Sequence, residues 1–266
     1  MNYTAGIDIG SVTTKCVVTR DSEIVAKAIA RTGVDSEKVA CAVLAETVEC
    51  AGIRESDLAV IVSTGYGRRI FKRATAVITE ISAAGNAAYH ILRDGCLVID
   101  VGGQDTKIIE VNASGDISDF LMNDKCAAGT GRFLEMMAGV LETDLEGLSQ
   151  LARESSNPVA INATCSVFAE SEVVSLIAHA AGKEDIAKGI FNAIGSRIAG
   201  MIAQFSTQNK AVFCGGGAKS EALKQSIETL SGRKITVLPE PQFVVAFGAA
   251  LKGVSRKKEE HERKTF

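Results

Sequence analysis

One short pattern occurs twice in this 266-residue chain, and it constrains the fold more than any other feature. Ile7-Asp8-Ile9-Gly10-Ser11-Val12-Thr13-Thr14-Lys15-Cys16-Val17-Val18 and Ile99-Asp100-Val101-Gly102-Gly103-Gln104-Asp105-Thr106-Lys107-Ile108-Ile109-Glu110 both read Asp-x-Gly-x-x-x-Thr-Lys between apolar, strand-like flanks. Each copy runs on to a turn, Asp21-Ser22 in the first and Ser114-Gly115-Asp116 in the second, and then to another short strand. Two strand–turn–strand units of one design predict a duplicated chain, each copy opening a domain. The expected domains are 1–94 with 242–266, and 95–241.

The segments between the copies alternate in type. Glu37–Cys50 and Ile81–Leu92 read as helices, and Leu58–Val62 and Cys96–Ile99 as buried strands. A long helix is predicted over Ile186–Phe205, where Ile186, Ile190, Ile194, Ile198, Met201, Ile202 and Phe205 keep a helical period. Ala211–Cys214 reads as a strand, Ser220–Leu230 as a helix, and Phe243–Gly253 as a closing helix. Strands alternating with helices imply an α/β fold with largely parallel pairing, and the two leading hairpins make the sheets mixed.

Each repeat carries a Gly-rich turn, where backbone N–H groups approach phosphate oxygens with no Cβ in the way. Gly10 and Ser11 fill that role in the first copy, and Gly102 and Gly103 in the second. Asp8 and Asp100 end their strands just before these turns. Facing each other across a cleft, the two carboxylates can hold hydrated Mg²⁺, which prefers oxygen ligands and keeps its waters. Thr13 and Lys15 add a hydroxyl and a charge near a terminal phosphate. A third turn, Gly215-Gly216-Gly217-Ala218, follows a strand and precedes a helix, which suits the nucleoside and α-phosphate end. There is no Gly-x-x-x-x-Gly-Lys-[Ser/Thr]. Gly129-x-Gly131 continues to Leu134 instead of a third glycine, and both glycines count as candidate nucleotide contacts. Asp-x-Gly is common alone; the paired turns and the triple glycine in this order carry the weight.

The formal charge of −3 offers no global field for nucleic acid. Arg256, Lys257, Lys258, Arg263 and Lys264 alternate with Glu259, Glu260 and Glu262, which reads as a solvated tail. No leader is expected, because Met1 runs straight into strand-like Tyr3–Ile9, and no apolar run reaches the ~20 residues of a membrane span. A cytoplasmic location is the expectation.

The seven cysteines, at 16, 41, 50, 96, 126, 165 and 214, contain no Cys-x-x-Cys. Two of them precede helix-like stretches. Cys126 lies in Asn123-Asp124-Lys125-Cys126-Ala127-Ala128-Gly129-Thr130-Gly131-Arg132-Phe133, ahead of Leu134, Met137, Ala138 and Leu141. Cys165 lies in Thr164-Cys165-Ser166-Val167-Phe168-Ala169-Glu170-Ser171-Glu172, with Val167, Phe168, Val174 and Ile177 lining a helical face behind it. A helix N-terminus lowers a thiol pKa and favours negative charge. An iron–sulfur cluster with thiolate ligands is anionic, so two helix ends aimed at one are favourable. A [4Fe–4S] cluster wants four thiolates, and a two-fold dimer would supply them. On the residues alone, buried core thiols and cluster ligands are equally good readings. The other five cysteines read as core packing, and His90, His179 and His261 form no metal spacing. Tyr66 and Arg68 fit either an interdomain or partner surface or an ordinary loop.

The turns together resemble the actin, Hsp70 and sugar-kinase superfamily of ATPases, over nearly the whole chain. That resemblance implies two ribonuclease-H-like domains, a hinge, ATP in the cleft and a C-terminal helix returning to the first domain. The two cysteine segments, with Thr64-Gly65-Tyr66-Gly67-Arg68 and Asp100-Val101-Gly102-Gly103-Gln104-Asp105, resemble the activators of 2-hydroxyacyl-CoA dehydratases, a group that includes benzoyl-CoA reductase subunits. This likeness implies a homodimer bridged by one [4Fe–4S] cluster on Cys126 and Cys165 of each subunit. It also implies ATP-driven transfer of a low-potential electron, received from ferredoxin or flavodoxin, to a dehydratase or related cluster enzyme. On that reading Gln104 orients the attacking water, Asp8 and Asp105 complete the catalytic set, and nucleotide changes the domain angle. Two rivals stand beside it. A small-molecule kinase would use Asp105 as base and leave both cysteines without a role; a nucleotide-gated, non-catalytic sensor would bind without turnover and without iron.

Overall fold

The computed structural model describes residues 3–162 and 165–253. The basic tail and Thr164 of the cysteine motif lie outside the described residues. The chain divides into two compact units: 1–96 with 111–118 and 238–266, and 97–110 with 119–237.

The first unit is built on a five-stranded sheet in the order β3-β2-β1-β4-β5. Its strands are β1 (Tyr3–Ile9), β2 (Thr13–Arg20), β3 (Glu23–Arg31), β4 (Leu58–Thr64) and β5 (Ala76–Val77). The first three form an antiparallel meander, and β4 and β5 add parallel to β1. Asp21 and Ser22 make the β2–β3 turn, both at positive φ. Helix α1 (Ser36–Cys50) begins where the Asp35 carboxylate accepts the Lys38 N–H at 3.0 Å, the N-cap bond that short acceptor side chains favour. It lays Ala40, Val43, Leu44 and Val48 on Ile7, Ile9, Cys16 and Val18. Helix α2 (Glu80–Leu92) is capped by Thr79.

The second unit repeats the plan with order β10-β9-β6-β7-β8. Its strands are β6 (Cys96–Val101), β7 (Thr106–Val111), β8 (Ile117–Asn123), β9 (Lys210–Cys214) and β10 (Ile235–Val237). Its helices are α3 (Gly131–Val140), α4 (Leu145–Glu154), α5 (Ser166–Ala178), α6 (Lys183–Ile202) and α7 (Glu221–Ser231). Phe133, Met137, Phe191, Ile194, Ile198 and Phe213 centre one apolar core. Helix α6 begins ahead of its predicted start because Glu184 and Asp185 suit the positive end of the helix dipole. It ends before Phe205, which stays in the core from the segment beyond. The final helix, α8 (residues 244–253), belongs to the first unit, where Thr4 Oγ1 donates to the Ala250 carbonyl at 3.0 Å and Phe247 meets the His90 ring edge-on.

The apolar residues behind Cys165 face outward. Val167, Phe168 and Val174 of α5 are 64%, 72% and 53% exposed, and Ile177 is exposed too. The helix buries Ala169 and Val173 and packs Leu176 partly against the core. It is apolar on nearly every side, so its period could not say which side faced its own core. Among the described residues no helix is long and apolar enough to cross a membrane.

Candidate functional site

In the first unit, Asp8 is the penultimate residue of β1, and register places Lys15 of β2 on one side of it and Thr64 of β4 on the other. Paired positions share a face of the sheet, so the three side chains form a row. Lys15 Nζ donates to Asp8 Oδ2 at 2.9 Å. The β1–β2 turn closes with the Gly10 N–H on the Thr13 carbonyl at 3.2 Å and leaves Ser11 exposed.

The second unit has the same turn in a drier setting. The Gly102 N–H meets the Asp105 carbonyl at 2.9 Å, and Gln104 is exposed at the tip. Lys107 Nζ lies 2.7 Å from Asp105 Oδ1 and 3.7 Å from Asp100 Oδ2, with all three side chains nearly excluded from solvent. One ammonium stands between two buried carboxylates at the end of β6. Asp105 is thus an ion-pair partner of Lys107, an arrangement that holds the turn closed.

Behind this turn lies the first cysteine segment. The Gly131 and Arg132 N–H groups donate to the carbonyls of Gly102 and Gly103 at 2.9 and 2.8 Å. Thr106 Oγ1 donates to the Gly129 carbonyl. The Gly131 amide is therefore engaged in holding the turn. Asn123 brackets Cys126, its Nδ2 donating to the Cys126 carbonyl at 2.9 Å and its Oδ1 accepting the Cys126 N–H at 3.3 Å.

The two helix-start cysteines are placed differently. Cys165 is the N-cap of α5. Cys126 caps only a single 3-10 turn, Ala127–Gly129, with α3 starting afterwards at Gly131. Both are half-buried. Cys16 and Cys96 differ sharply, because burial pushes their thiols up to about 12 and about 11, far from thiolate character. Cys214 is buried and Cys41 half-buried against the core, but the core-packing expectation fails for Cys50, which is exposed because it ends α1 on the solvent side, where the helix dipole disfavours an anion.

Residues 5–253 match the BadF/BadG/BcrA/BcrD ATPase family. The chain belongs to that family. Over 250 residues it is 39% identical to the activator of lactoyl-CoA dehydratase of Anaerotignum propionicum, covering 94% of this chain and 96% of that one. The crystal structure of the Acidaminococcus fermentans (R)-2-hydroxyglutaryl-CoA dehydratase component A superposes with a TM-score of 0.92 at 38% identity, covering 96% of this chain and 99% of the other. The activator of the 2-hydroxyisocaproyl-CoA dehydratase from Clostridium difficile, solved with bound ADPNP, gives 0.93 at 35% identity, covering 98% and 97%. The actin-like, sugar-kinase architecture extends further: a ROK family glucokinase from Streptomyces griseus shares the fold at a TM-score of 0.58 and 11% identity, covering 96% of this chain and 100% of the other.

Within this family member, two glycines that the sequence offers only as part of a family motif have a structural role at the site. Gly65 and Gly67 repeat, in the first unit, what Gly215 and Gly217 do in the second. Gly65 turns the chain at φ +90°, where a Cβ would sit 2.6 Å from Asp8 Oδ1. Gly215 does so at φ +83°, where a Cβ would sit 2.5 Å from Asp100 Oδ1. Only glycine accepts both that φ and that approach. Lys107 was missed as a site residue, although it stands at the same motif position as Lys15.

Proposed function

We propose that this protein hydrolyses ATP and uses the energy to pass one low-potential electron to a 2-hydroxyacyl-CoA dehydratase or a related iron–sulfur enzyme, taking its electrons from ferredoxin or flavodoxin. The observation that carries the reading is the pair of hydrogen bonds from Gly131 and Arg132 to the Gly102–Gly103 turn. They join a phosphate-type turn directly to the segment that presents Cys126. Named relatives point the same way, since they are dehydratase activators.

The donor set fits a shared cluster. Among the described residues no group of three or more His, Cys, Asp or Glu side chains can hold a metal within one chain. Cys126 and Cys165 of two chains together supply four thiolates, and Cys165 sits at the N-cap of α5, which favours negative charge. The exposed Val167, Phe168 and Val174 continue from Cys165, and exposed Phe120 and Met122 precede Cys126. These exposed apolar side chains, close to both cysteines along the chain, suit a surface that a second copy would cover. When bound, a [4Fe–4S] cluster supplies the one-electron carrier, tuned by exposure and hydrogen bonding.

The chain's own residues do the rest. Gly10, Ser11, Gly102 and Gly103 offer N–H groups to phosphates; Gly215, Gly216, Gly217 and Ala218 form the turn for the nucleoside end. Asp8 and Asp100 supply hard oxygen donors that suit hydrated Mg²⁺. Lys15 and Lys107 fix those carboxylates in place. A change at the Gly102–Gly103 carbonyls is passed through Gly131 and Arg132 toward Cys126 and its Asn123 bracket, without any long-range lever. Gln104, exposed at the turn tip, is a neutral amide and orients the attacking water. Gln104→Ala is expected to lower ATP turnover about 100-fold, with nucleotide affinity changed less than about threefold. Single-turnover hydrolysis beside calorimetric binding checks this.

The test of the whole reading is oxygen-free purification with iron and sulfide analysis and a measurement of mass. About four irons per dimer are expected. Colourless, iron-poor, monomeric protein would refute it.

A further inference from the structure

One buried polar atom has no role in the chemistry above. Thr64 is wholly buried, and among the described residues its Oγ1 is the buried side-chain oxygen without a hydrogen-bond partner. The same unit satisfies its other buried hydroxyls carefully. Thr4 and Thr19 pair at 2.7 Å, and Thr14 and Thr32 at 3.0 Å. Thr47 donates to the Val43 carbonyl and the adjacent Ser63 to the Arg68 carbonyl, each at 2.6 Å. A buried hydroxyl left unpaired costs stability, and valine would fill the same volume without that cost.

The position of Thr64 explains why a hydroxyl stands there. It lies opposite Asp8 in the β1–β4 register, in a row with Lys15, and directly before the Gly65 turn that passes over the Asp8 carboxylate. In the second unit the residue before Gly215 is Cys214, whose thiol is a much weaker hydrogen-bonding group. The repeats have diverged here, with a hydroxyl only beside Asp8.

The geometry points to Thr64 as a ligand-contacting residue whose hydroxyl bonds an oxygen of the magnesium–nucleotide complex served by Asp8. That oxygen is either a metal-bound water or a phosphate oxygen. The inference rests on the nucleotide reading given under Proposed function and extends it to a residue outside the repeated motif.

The experiment compares wild type, Thr64→Val and Thr64→Ser as full-length protein prepared without oxygen. It measures unfolding temperature without nucleotide, and ADPNP affinity by calorimetry with Mg²⁺ and with EDTA. Thr64→Val is expected to unfold no lower than wild type and to lose about tenfold in Mg–ADPNP affinity, while Thr64→Ser matches wild type. A loss confined to Mg²⁺ assigns the contact to a metal-bound water; an equal loss in EDTA assigns it to a phosphate oxygen. Affinity of Thr64→Val equal to wild type in both conditions would overturn the assignment. So would unfolding several degrees lower without nucleotide, which would give the hydroxyl an internal structural role. If wild type itself fails to bind Mg–ADPNP, the nucleotide reading fails first and Thr64 with it. Wild-type binding beside an unaffected Thr64→Val removes Thr64 alone.

Discussion

Replacing Cys165 or Cys126 with serine is expected to abolish iron binding, from about four irons per dimer to almost none, while ATP still binds. Serine is close to cysteine in size but supplies no thiolate at neutral pH. It is also a favoured N-cap residue, so Cys165→Ser should leave α5 at least as well started as before. Cys126 is only half-buried, and its Asn123 bracket uses backbone groups that serine retains. The fold should therefore survive both changes, and dehydratase activation should fall by several orders of magnitude because the electron has no carrier. Cys50→Ser and Cys41→Ser serve as controls. Both residues lie on α1, in the other unit, and both variants should keep full iron. Iron and sulfide content, the visible spectrum and calorimetric ATP binding read the outcome together. Full iron in either Cys126→Ser or Cys165→Ser would remove that residue from the ligand set.

Why these two cysteines were distinguishable from the other five only in part is instructive. Their approach to helix starts is local, and Gly131, Phe133 and Leu134 already mark where a helix must follow Cys126. Cys16 and Cys96 sit in apolar strand segments, and the burial read from that context is what makes them poor ligands, whereas the exposure of Cys50 at the end of α1 depends on how the folded unit turns that helix. The repeat shows the same division. Asp8 to Lys15 and Asp100 to Lys107 are contiguous in the chain, so their shared pattern is legible. The Gly65–Gly67 and Gly215–Gly217 turns share only two glycines, Thr64-Gly65-Tyr66-Gly67 against Cys214-Gly215-Gly216-Gly217. Their equivalence exists because each is delivered by the strand beside an Asp-bearing strand. Helix α5 marks the third limit. Periodicity groups Val167 and Val174, seven residues apart, without saying whether their side faces the subunit core or a partner. Helix α4 was readable and overlooked, since Asp144 caps it and accepts the Gly147 N–H at 2.8 Å.

Lys107→Met is expected to destabilise the second unit by about 3–5 kcal/mol, the range for removing one partner of a buried ion pair. The unfolding temperature should fall by roughly 10 °C. Lys107 is 2% exposed and stands between Asp105 and Asp100, so methionine of similar length keeps the packing and removes only the charge. Asp105 and Asp100 would then both lose the Lys107 ammonium that lies 2.7 and 3.7 Å from them. Lys15 occupies the same place in the first repeat, but it answers a single carboxylate and is 16% exposed. Lys15→Met should accordingly cost less than half as much, although the two lysines are indistinguishable within the motif. Adding Asp105→Asn to Lys107→Met returns the cluster to its original net charge and should recover a measurable part of the loss, whereas Asp105→Asn alone should destabilise. Thermal unfolding of the four proteins closes a double-mutant cycle on the Asp105–Lys107 pair. A Lys107→Met loss below about 1 kcal/mol would show that water reaches the triad, and would withdraw from Lys107 the task of holding Asp100 and Asp105 in place.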